Sequence, residues 1–505
     1  MKPWKLSRKE RKRLLGNGPK IEEVFNSLEA QRTFPRYIHR DVKEAVAIAR
    51  KFNIEVLKPM VLEVDRKCMA DHDYVPEEFI RKAAEWRFYS LFIPKLFGGK
   101  GLSFTALYPF IEEIASGCSG LGHLIFIHYL GMGTLMPSFN FRVINKVLKD
   151  VCESEKTGAP HLLDLVVTEP SSGTDLQEPL LWSKAKVGSG AEKVNGGYVI
   201  NGRKIFISNG HLSYWHIVQI PTDKKNLAQT QCQFVIPTGT KGFSFGNKET
   251  KMGHLASTAS ELIFEDCFVS DEDLSMTNES FIGLGKSPEW IGHTFLDYVV
   301  SSSRAGVAAI STGMARCAYE KALDYASAKK VNGTLLINHQ WVQTHLADML
   351  SNVNTARALY MESAYCNSLA GAFKLLSSSR PLQYFLRYTP EWVFKASNPI
   401  LDLDLSTKLA RKYAYGLYTQ EERNASSGWG SLVKISCSDV GVKNSLLAID
   451  IMGADGLRHD MGVEKLLRDS KLQQIYESTN DINRMNMFDC MIARDIPEAV
   501  TFGTL

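Results

Sequence analysis

Hydrophobic residues follow two different periods along the chain, and the period changes twice. From about residue 36 to 160 apolar side chains repeat every three or four positions, as in the stripe that begins at 42–52. From about 161 to 275 they alternate with polar ones, and from about 285 onward the helical spacing returns, as in 307–317. Spacings of three and four share a helix face, whereas alternation marks a strand. This pattern predicts a strand-rich region between two helical ones.

The middle region also carries turn signals. Asn201-Gly202 lies between the β-rich arms 198–200 and 203–207, and this pair favours the positive φ angles of a two-residue hairpin turn. We therefore predict a hairpin at Asn201-Gly202. Further strands are predicted at Trp215–Ile220, Gln231–Ile236 and Glu261–Phe268.

These elements predict an α+β multidomain protein. The units are an N-terminal α-helical domain at 36–160, a middle β-barrel or β-sandwich domain at 161–280 and a C-terminal helical bundle domain at 281–505, preceded by a basic extension at 1–35.

A proline-containing stretch from about 370 to 428 interrupts the helical period of the C-terminal region. We interpret it as an insertion. A lid, an interface arm and a membrane-touching element all fit such a stretch, and a surface elaboration without chemistry fits it equally.

Composition and charge restrict the function classes. The 505 residues are 44% hydrophobic and 23% charged with a net charge of +4, which does not indicate nucleic-acid binding. The basic arm at 2–13 is better explained as a solvated tail than as a contact with phosphate or an anionic membrane surface. No run of 18 apolar residues predicts a transmembrane segment, and no apolar region follows the arm as in a secretory signal.

The nine cysteines are scattered and never form CxxC, which favours free thiols in a reducing compartment. We expect the cytoplasm, or the mitochondrial matrix in a eukaryote. His123 and His128 are five residues apart and HExxH is absent, so no metal site is predicted. No GxGxxG occurs, and Gly285-Lys286-Ser287 lacks the first glycine of a P-loop because Ser280 takes its place.

Four motifs carry the candidate chemistry. Residues 166–175 read V-V-T-E-P-S-S-G-T-D, and residues 201–210 read N-G-R-K-I-F-I-S-N-G. Between 304 and 349 an arginine is followed by H-Q and L-A-D-M, and residues 453–479 contain G-A-D-G, E-K, R-D and I-Y-E-S-T. Together they resemble the motifs of the acyl-CoA dehydrogenase family over about residues 40–365 and 430–490.

The resemblance implies a fold in which a four-helix bundle follows the β domain, and it assigns roles by position. Glu477 corresponds to the catalytic base. Phe206 would pack beside the flavin ring, and Ser208 would lie near its N5 atom. The implied flavin contacts are Leu165, Val167, Thr168, Gly173, Thr174, Phe206, Ser208, Lys329, Gln340, Asp450, Gly453, Ala454, Thr479 and Asp481, and the implied substrate contacts are Phe126, Thr174, Arg304, Tyr476 and Ser478.

Several positions depart from the family pattern. Lys329 stands at the position of a phosphate-binding arginine, and Asn332 replaces an aromatic residue. Lysine supplies a point charge rather than a bidentate fork, so FAD affinity is expected to differ. Ala454 and Ser478 replace glycines, and Asp450 takes the place of a glutamine. The bulk of Ser478 beside the base is expected to narrow the thioester slot.

The resemblance implies an FAD-dependent acyl-CoA dehydrogenase that forms a 2-enoyl-CoA, with Glu477 removing the α-proton while the β-hydride passes to the flavin. It implies an electron-transfer flavoprotein as acceptor and a homodimer or homotetramer. An acyl-CoA oxidase and a non-catalytic flavin-binding scaffold are the alternatives. Glu477 argues against a flavin monooxygenase or a nitroalkane oxidase.

The acyl group is only outlined by the sequence. Phe126 and Tyr129 fall in the helix that lines the family's acyl pocket, and their bulk suits a short or cyclic acyl group. Ser119 stands where glutaryl-type members have an arginine, which argues against a free dicarboxylate.

Overall fold

Two helical units flank a β unit in the computed structural model, which describes residues 7, 9–10, 26–281, 283–496 and 498–502. The α+β architecture expected from the hydrophobic period is confirmed. Apart from Ser7, Lys9 and Glu10, the basic arm lies outside the described residues.

The N-terminal unit packs amphipathic helices around one helix that is buried on all sides. Ile38, Ala45, Ala49 and Phe52 form the buried face of α2, whereas α6 is apolar around its circumference and lies in the core. The helices are α1 (Asn26–Thr33), α2 (Tyr37–Phe52), α3 (Lys58–Ala70), α4 (Glu77–Glu85), α5 (Leu107–Gly117), α6 (Ser119–Leu135) and α7 (Phe141–Lys156), with a π-helical turn at Asn53–Leu57 between α2 and α3.

The middle unit consists of two four-stranded sheets with the orders β1-β4-β5-β8 and β2-β3-β7-β6. The β1–β4 pair is parallel and the other pairs are antiparallel. The strands are β1 (Leu162–Val166), β2 (Gly190–Val194), β3 (Gly197–Ser208), β4 (Ser213–Pro221), β5 (Gln231–Pro237), β6 (Phe243–Lys248), β7 (Ala259–Ser270) and β8 (Leu274–Thr277), with short helices α8 (Thr174–Gln177) and α9 (Leu227–Thr230).

The strands predicted at Trp215–Ile220, Gln231–Ile236 and Glu261–Phe268 are confirmed. The hairpin turn predicted at Asn201-Gly202 is wrong, because β3 continues through both residues. Gly202 has φ +144° at a register shift against β7, which identifies a bulge. The turn between β2 and β3 instead falls on a second Asn-Gly pair at 195–196, and local sequence alone does not distinguish the two pairs.

The C-terminal unit is a helical bundle in which α10, α11 and α16 pack along one another. Small residues allow close approach: a Cβ on Gly430 of α16 would lie 3.0 Å from Ser301 Cα of α10. The helices are α10 (Pro288–Ala328), α11 (Gln340–Ser368), α12 (Gly371–Ser378), α13 (Arg380–Tyr388), α14 (Glu391–Leu401), α15 (Asp404–Gly416), α16 (Gln420–Met452), α17 (Val463–Gln473) and α18 (Asn480–Met491), with a small hairpin of β9 (Lys330–Val331) and β10 (Thr334–Leu335).

Helices α12 to α15 occupy most of the expected insertion, but its end differs from the expectation. Residue 428 lies inside α16, which begins at Gln420. Thr419 and Glu422 form a capping box that starts this helix, so residues 420–428 are the first turns of a bundle helix and not part of the insertion. Among the described residues, no helix is both long and apolar enough to cross a membrane.

Short turns of 3₁₀ helix connect many of these elements. They lie at Lys95–Phe97, Phe104–Ala106, Met136–Ser138, Pro179–Lys184, Asp271–Asp273, Asn278–Phe281, Leu336–Asn338, Gly453–Leu457, His459–Met461 and Ala493–Asp495.

Candidate active site

Glu477 lies in a tight turn between α17 and α18. Glu477 and Ser478 both adopt left-handed backbone conformations, with φ of +55° and +64°. The Asn483 side-chain amide donates to the carbonyls of Glu477, Ser478 and Thr479 at 3.1, 3.0 and 3.0 Å. The Thr479 hydroxyl accepts from Ile482 N and caps α18. The turn is therefore fixed from the first turn of the helix that follows it.

The environment of Glu477 favours its uncharged form. Removal of the carboxyl from water raises the pKa of Glu477, while the nearby Ser303 hydroxyl and the charges of Arg304 and Lys434 act in the opposite direction. A carboxyl with a raised pKa is a stronger base when it is ionised. Glu477 therefore has the electrostatic character that proton abstraction from carbon requires.

Lys434 on α16 is a buried cation near this turn. Its Nζ donates to Ser478 O at 2.7 Å and to Asn480 Oδ1 at 2.8 Å. Burial lowers the pKa of Lys434 to about 7, and the charge of Glu477 opposes that shift. Lys434 therefore positions the turn and contributes positive charge beside the candidate base.

Arg304 is fully buried within the bundle. Its guanidinium lies 2.5 Å from Glu178 Oε1 and 2.9 Å from Ser431 Oγ, and Asn486 also accepts from it at 3.4 Å. These protein groups use most of its donors. Its role as a CoA contact stays a prediction.

A largely apolar cavity of about 300 Å³ is lined by Ser303, Phe126 and Tyr129. The ring of Phe126 lies against Gly306 of α10, where a Cβ would come within 2.0 Å of it. The Tyr129 hydroxyl donates to Phe88 O, so this residue presents its ring to the cavity. The aromatic residues expected to limit the acyl site thus do line a cavity.

Residues of the first two motifs lie side by side. Ile205 N donates to Thr168 O at 2.9 Å, which places Thr168 next to Phe206. Phe206 has φ +56°, and its side chain is 56% exposed. Beneath them, Lys204 Nζ lies 2.8 Å from Glu169 Oε1 in a buried ion pair that ties the two motifs together.

Helix α8 connects these motifs to the Glu477 turn. It begins at Thr174, directly after Gly173, and the Ser478 hydroxyl donates to Gln177 Oε1 at 3.0 Å. An added Cβ on Gly173 would meet only Thr168 Cγ2 at 3.6 Å, so protein packing does not by itself require a glycine there.

The remaining predicted residues have less enclosed surroundings. Tyr476 is half-buried, with its hydroxyl 2.6 Å from Gln473 Oε1. Leu165, Val167 and Ser208 are also half-buried, whereas Asp481 is exposed and lies 3.0 Å from Arg484.

Lys329 belongs to a second group of exposed predicted residues. Its Nζ lies 3.3 Å from Asp455 Oδ2, and the Tyr325 hydroxyl donates to the same oxygen at 2.6 Å. Asp455 follows Gly453 and Ala454, so the structure brings Lys329 and the G-A-D-G loop together. Gln340 at the start of α11 and Asp450 near the end of α16 are also exposed.

The first group fits a flavin ring. The exposed Phe206 ring offers an apolar face, and the hydroxyls of Thr168 and Ser208 offer polar partners for a ring edge. The second group offers one cation for a diphosphate, but Asp455 already offsets that charge. These residues would hold FAD, with a weakened diphosphate contact.

Sequence reasoning missed several residues around Glu477. Lys434, Ser303, Gln177 and Asn483 were not singled out, although each contacts the turn or affects its charge. One signal was available for Lys434, which is the only charged residue in the small and apolar stretch 425–438 of α16. The others depend on contacts between distant segments.

One cluster in the described part of the chain has metal-like spacing. The candidate ligand atoms of Asp65, His459 and Glu464 lie within 4.8 Å of one another. Arg468 donates to Asp65 at 2.8 Å and to Glu464 at 2.7 and 3.1 Å, so its guanidinium already supplies positive charge to this cluster. The expectation of no metal stays a prediction.

Family models match most of the chain. They are the acyl-CoA dehydrogenase N-terminal domain over residues 39–154, the middle domain over 165–267 and the C-terminal domain over 292–374 and 397–491. The gap in the last match falls within helices α12 to α14.

Curated relatives have dehydrogenase and reductase names. An acyl-CoA dehydrogenase of Bacillus subtilis (strain 168) is 27% identical over 85% of this chain and 95% of its own length. An acryloyl-CoA reductase (NADH) of Anaerotignum propionicum is 26% identical over 89% of this chain and 92% of its own. A 3-(aryl)acrylate reductase of Clostridium sporogenes is 26% identical over 87% and 95%.

Solved structures share the fold. A chain from a structure described as the electron transferring flavoprotein of Acidaminococcus fermentans has a TM-score of 0.68 and 26% identity, covering 90% of this chain and 98% of that one. Butyryl-CoA dehydrogenase from Megasphaera elsdenii has a TM-score of 0.66 and 22% identity, with the same coverage.

Proposed function

Because this chain belongs to the acyl-CoA dehydrogenase family of flavoprotein oxidoreductases, we propose that it interconverts an acyl-CoA thioester and its 2-enoyl-CoA, with Glu477 as the base. The observation that carries the proposal is the position of Glu477. Its turn is held by Asn483 and Lys434, and Ser303, whose hydroxyl lowers the pKa of Glu477, also lines an apolar cavity that could take an acyl chain.

The α-C–H of a thioester is a weak acid. Its deprotonation therefore requires a base of raised pKa and a hydrogen-bond donor to the thioester carbonyl. Burial raises the pKa of Glu477 toward that of the carbon acid. The backbone N–H of Glu477 is the proposed donor to the thioester carbonyl, where negative charge develops. Bound FAD would supply the acceptor for the β-hydrogen as a hydride.

The protein's residues then have defined tasks. Glu477 takes the α-proton onto its carboxylate, and Lys434 keeps positive charge near that carboxylate while it is ionised. Phe206 and the hydroxyls of Thr168 and Ser208 orient the flavin ring. Phe126 and Tyr129 exclude water from the acyl side, which strengthens the interaction of fixed dipoles with the developing enolate.

The reverse direction is the second candidate. The acryloyl-CoA reductase and the 3-(aryl)acrylate reductase match this chain as fully as the dehydrogenases do. In that direction the Glu477 carboxyl donates the α-proton, and the raised pKa of this carboxyl favours its protonated form. The direction of flux then depends on the electron partner.

Further parts of the proposal concern cofactor and partners. We propose FAD as the cofactor, an electron-transfer flavoprotein as the electron partner and a homodimer or homotetramer as the assembly. Delivery of electrons to oxygen, as in an acyl-CoA oxidase, is the alternative, and peroxide release without any electron carrier would favour it.

The test is anaerobic mixing of the purified protein with a panel of acyl-CoA thioesters. Some member of the panel is expected to bleach the flavin absorbance. Glu477→Gln is expected to keep its flavin and lose at least about 10³-fold in bleaching rate, because it lacks the base. The exposed Glu272→Gln is the control and retains the rate. A colourless protein that cannot be reconstituted with FAD would contradict the proposal.

A further inference from the structure

The apolar cavity lies along helix α10, and Ser303 lines it. Tyr298 and Val299 line it on the same helix. Ser303 lies five positions after Tyr298, and at 1.5 Å per residue the lined segment is about 7 to 8 Å long. If Glu477 acts on the α-carbon, as proposed above, this segment receives the rest of the acyl group.

The far wall comes from the insertion. Phe373 of α12 and Leu386 of α13 line the cavity. Tyr298 packs edge-on against Phe373, with centroids 5.4 Å apart, and stacks on Tyr418 at 4.8 Å. The insertion therefore supplies the wall of the cavity beside Tyr298.

Helix α13 is anchored to the N-terminal unit. Arg387 Nη2 lies 2.7 Å from Asp41 Oδ1, and Nη1 donates to Gly101 O at 3.3 Å. The guanidinium also lies over the Tyr37 ring at 5.8 Å. These contacts hold α13 against the cavity. Asp41 also neutralises the Arg387 cation, which directly follows Leu386 in the sequence.

The polar side chains on this wall differ in whether they have hydrogen-bond partners. The Ser377 hydroxyl is bonded to Ser368 O at 2.9 Å and to Lys374 O at 3.1 Å. Gln383 of α13 also lines the cavity, is 6% exposed, and its Oε1 has no hydrogen-bond partner among the described residues. A buried acceptor without a donor favours a ligand that supplies one.

We propose that helix α13 is the specificity wall of the acyl site. The site takes a compact, uncharged, ring-bearing acyl group, and Gln383 accepts a hydrogen bond from a hydroxyl at its far end. The reasons are the aromatic lining, the neutralised Arg387 and the unpartnered Gln383. The proposal rests on the dehydrogenation chemistry proposed above.

The volume agrees with such a group. A buried cavity of about 150 Å³ holds benzene, so about 300 Å³ holds a substituted ring with a short linker. Edge-to-face contacts with Phe126 and Phe373 would favour an aromatic ring over a flexible chain of equal volume. A 3-arylpropionyl thioester satisfies the size and also has the α- and β-hydrogens that the reaction needs.

The first experiment compares 3-phenylpropionyl-CoA with linear acyl-CoAs in Leu386→Ala and in Leu405→Ala. Leu405 lies in the same insertion and is 63% exposed, so it is the matched control. Leu386→Ala is expected to shift the preferred linear chain by about three carbons toward longer chains, because it removes three carbons from the wall. Leu405→Ala is expected to leave the preference unchanged. The same preferred chain length in the unmodified protein and in both variants would overturn the assignment of α13 as the wall.

The second experiment uses the pair 3-(4-hydroxyphenyl)propionyl-CoA and 3-phenylpropionyl-CoA. Binding is measured by calorimetry and turnover by flavin bleaching. The protein is expected to prefer the hydroxylated thioester, and Gln383→Leu is expected to reduce that preference about tenfold in Kd. Gln229→Leu, on an exposed glutamine of the β unit, is the control and keeps it. An unchanged preference in Gln383→Leu would overturn the role of Gln383.

Different results would contradict the proposed acyl group and the proposed reaction. Faster turnover of long linear chains or of glutaryl-CoA, which Lys95 at the cavity could bind, would overturn the ring-bearing acyl group and leave the dehydrogenase chemistry intact. If no thioester bleaches the flavin but calorimetry still shows the arylpropionyl preference, the specificity wall stands and the proposed reaction fails.

Discussion

At the residue scale, the turn at Glu477 and Ser478 is both strained and supported. Non-glycine residues in the left-handed region cost about 1 kcal/mol each, and such strain concentrates at functional sites. The three carbonyl bonds from Asn483 and the bond from Lys434 offset that cost. Ser478 keeps a conformation that suits glycine and gains the bond to Gln177. The serine thus fixes the turn to α8, next to the first motif.

Lys434→Met is expected to change the pH dependence of the reaction. The Lys434 charge lowers the pKa of Glu477, and its own pKa of about 7 means that the charge is present on the acidic side of neutrality. Without it, the pKa of Glu477 rises further, so the acidic limb of kcat/KM moves to higher pH. The measurement is the pH profile of anaerobic flavin reduction.

The control for that experiment is Lys443→Met, which alters an exposed lysine of the same helix α16 and is expected to leave the limb in place. An identical acidic limb in Lys434→Met and in the unmodified protein would exclude an electrostatic role for Lys434.

At the scale of elements, α6 and α10 touch beside the cavity proposed as the acyl site. Gly306 of α10 makes room for the ring of Phe126, which is 4% exposed and packs within the core. Close packing leaves that ring little space to retreat, because protein interiors have few voids. The wall of the cavity on this side is therefore set by a glycine on one helix and an aromatic residue on another.

Gly306→Ala is expected to destabilise the protein and to impair acyl binding. Its Cβ would come within 2.0 Å of Phe126 Cζ, so the ring would move into the cavity. Overpacking of this kind costs about 1 to 3 kcal/mol of unfolding free energy. Urea unfolding and KM for the preferred thioester provide the measurements. Gly416→Ala, where nothing lies within 4 Å of the added Cβ, is the control and leaves both nearly unchanged.

At the scale of the whole molecule, a single buried carboxylate joins the three units. Asp469 of α17 accepts from the Ser119 hydroxyl of α6, from His254 N at 2.7 Å in the β unit and from Lys465 Nζ at 2.5 Å. The Lys465 cation and these donors hold the pKa of Asp469 far below its usual range, despite burial. Ser119, which argued against a dicarboxylate substrate, has a structural partner here.

Asp469→Asn is expected to lower the free energy of unfolding by about 3 kcal/mol, because among the described residues the buried Lys465 charge then has only Asp65, at 4.0 Å, as an anionic partner. Since the folded pKa is depressed, the contribution of Asp469 is complete above the ordinary carboxyl pKa of about 4. This contribution to stability is lost as the pH falls through the lower pKa that Asp469 has in the folded protein. The difference between the two proteins in urea unfolding should therefore shrink in acid.

The surface variant Asp404→Asn is the comparison for that experiment. Its carboxylate is 85% exposed and pairs with Arg142 only at 3.6 Å, so its removal should change stability by less than about 0.5 kcal/mol. Equal losses of unfolding free energy in the two variants would show that the contacts of Asp469 between the units do not stabilise the protein.

Local sequence determined the fold class and the candidate base. Hydrophobic period separates helices from strands because side-chain direction repeats every 3.6 or every 2 residues, and this information is local. The motif around Glu477 is likewise a contiguous run, so its resemblance to a family could be recognised without coordinates. Boundaries were predicted less well. The Asn-Gly turn was misplaced because a second Asn-Gly pair has the same local propensity, and the expected end of the insertion fell inside α16.

Tertiary structure decided everything that depends on contacts between distant segments. Lys434 meets the Glu477 turn across 44 residues of sequence, and Arg387 meets Asp41 across 346. Whether a lysine is solvated or buried beside a carboxylate is a property of packing, which leaves no periodic signal along the chain. For the same reason, the sequence predicted an insertion, and only the fold showed that this insertion lines the cavity proposed as the acyl site.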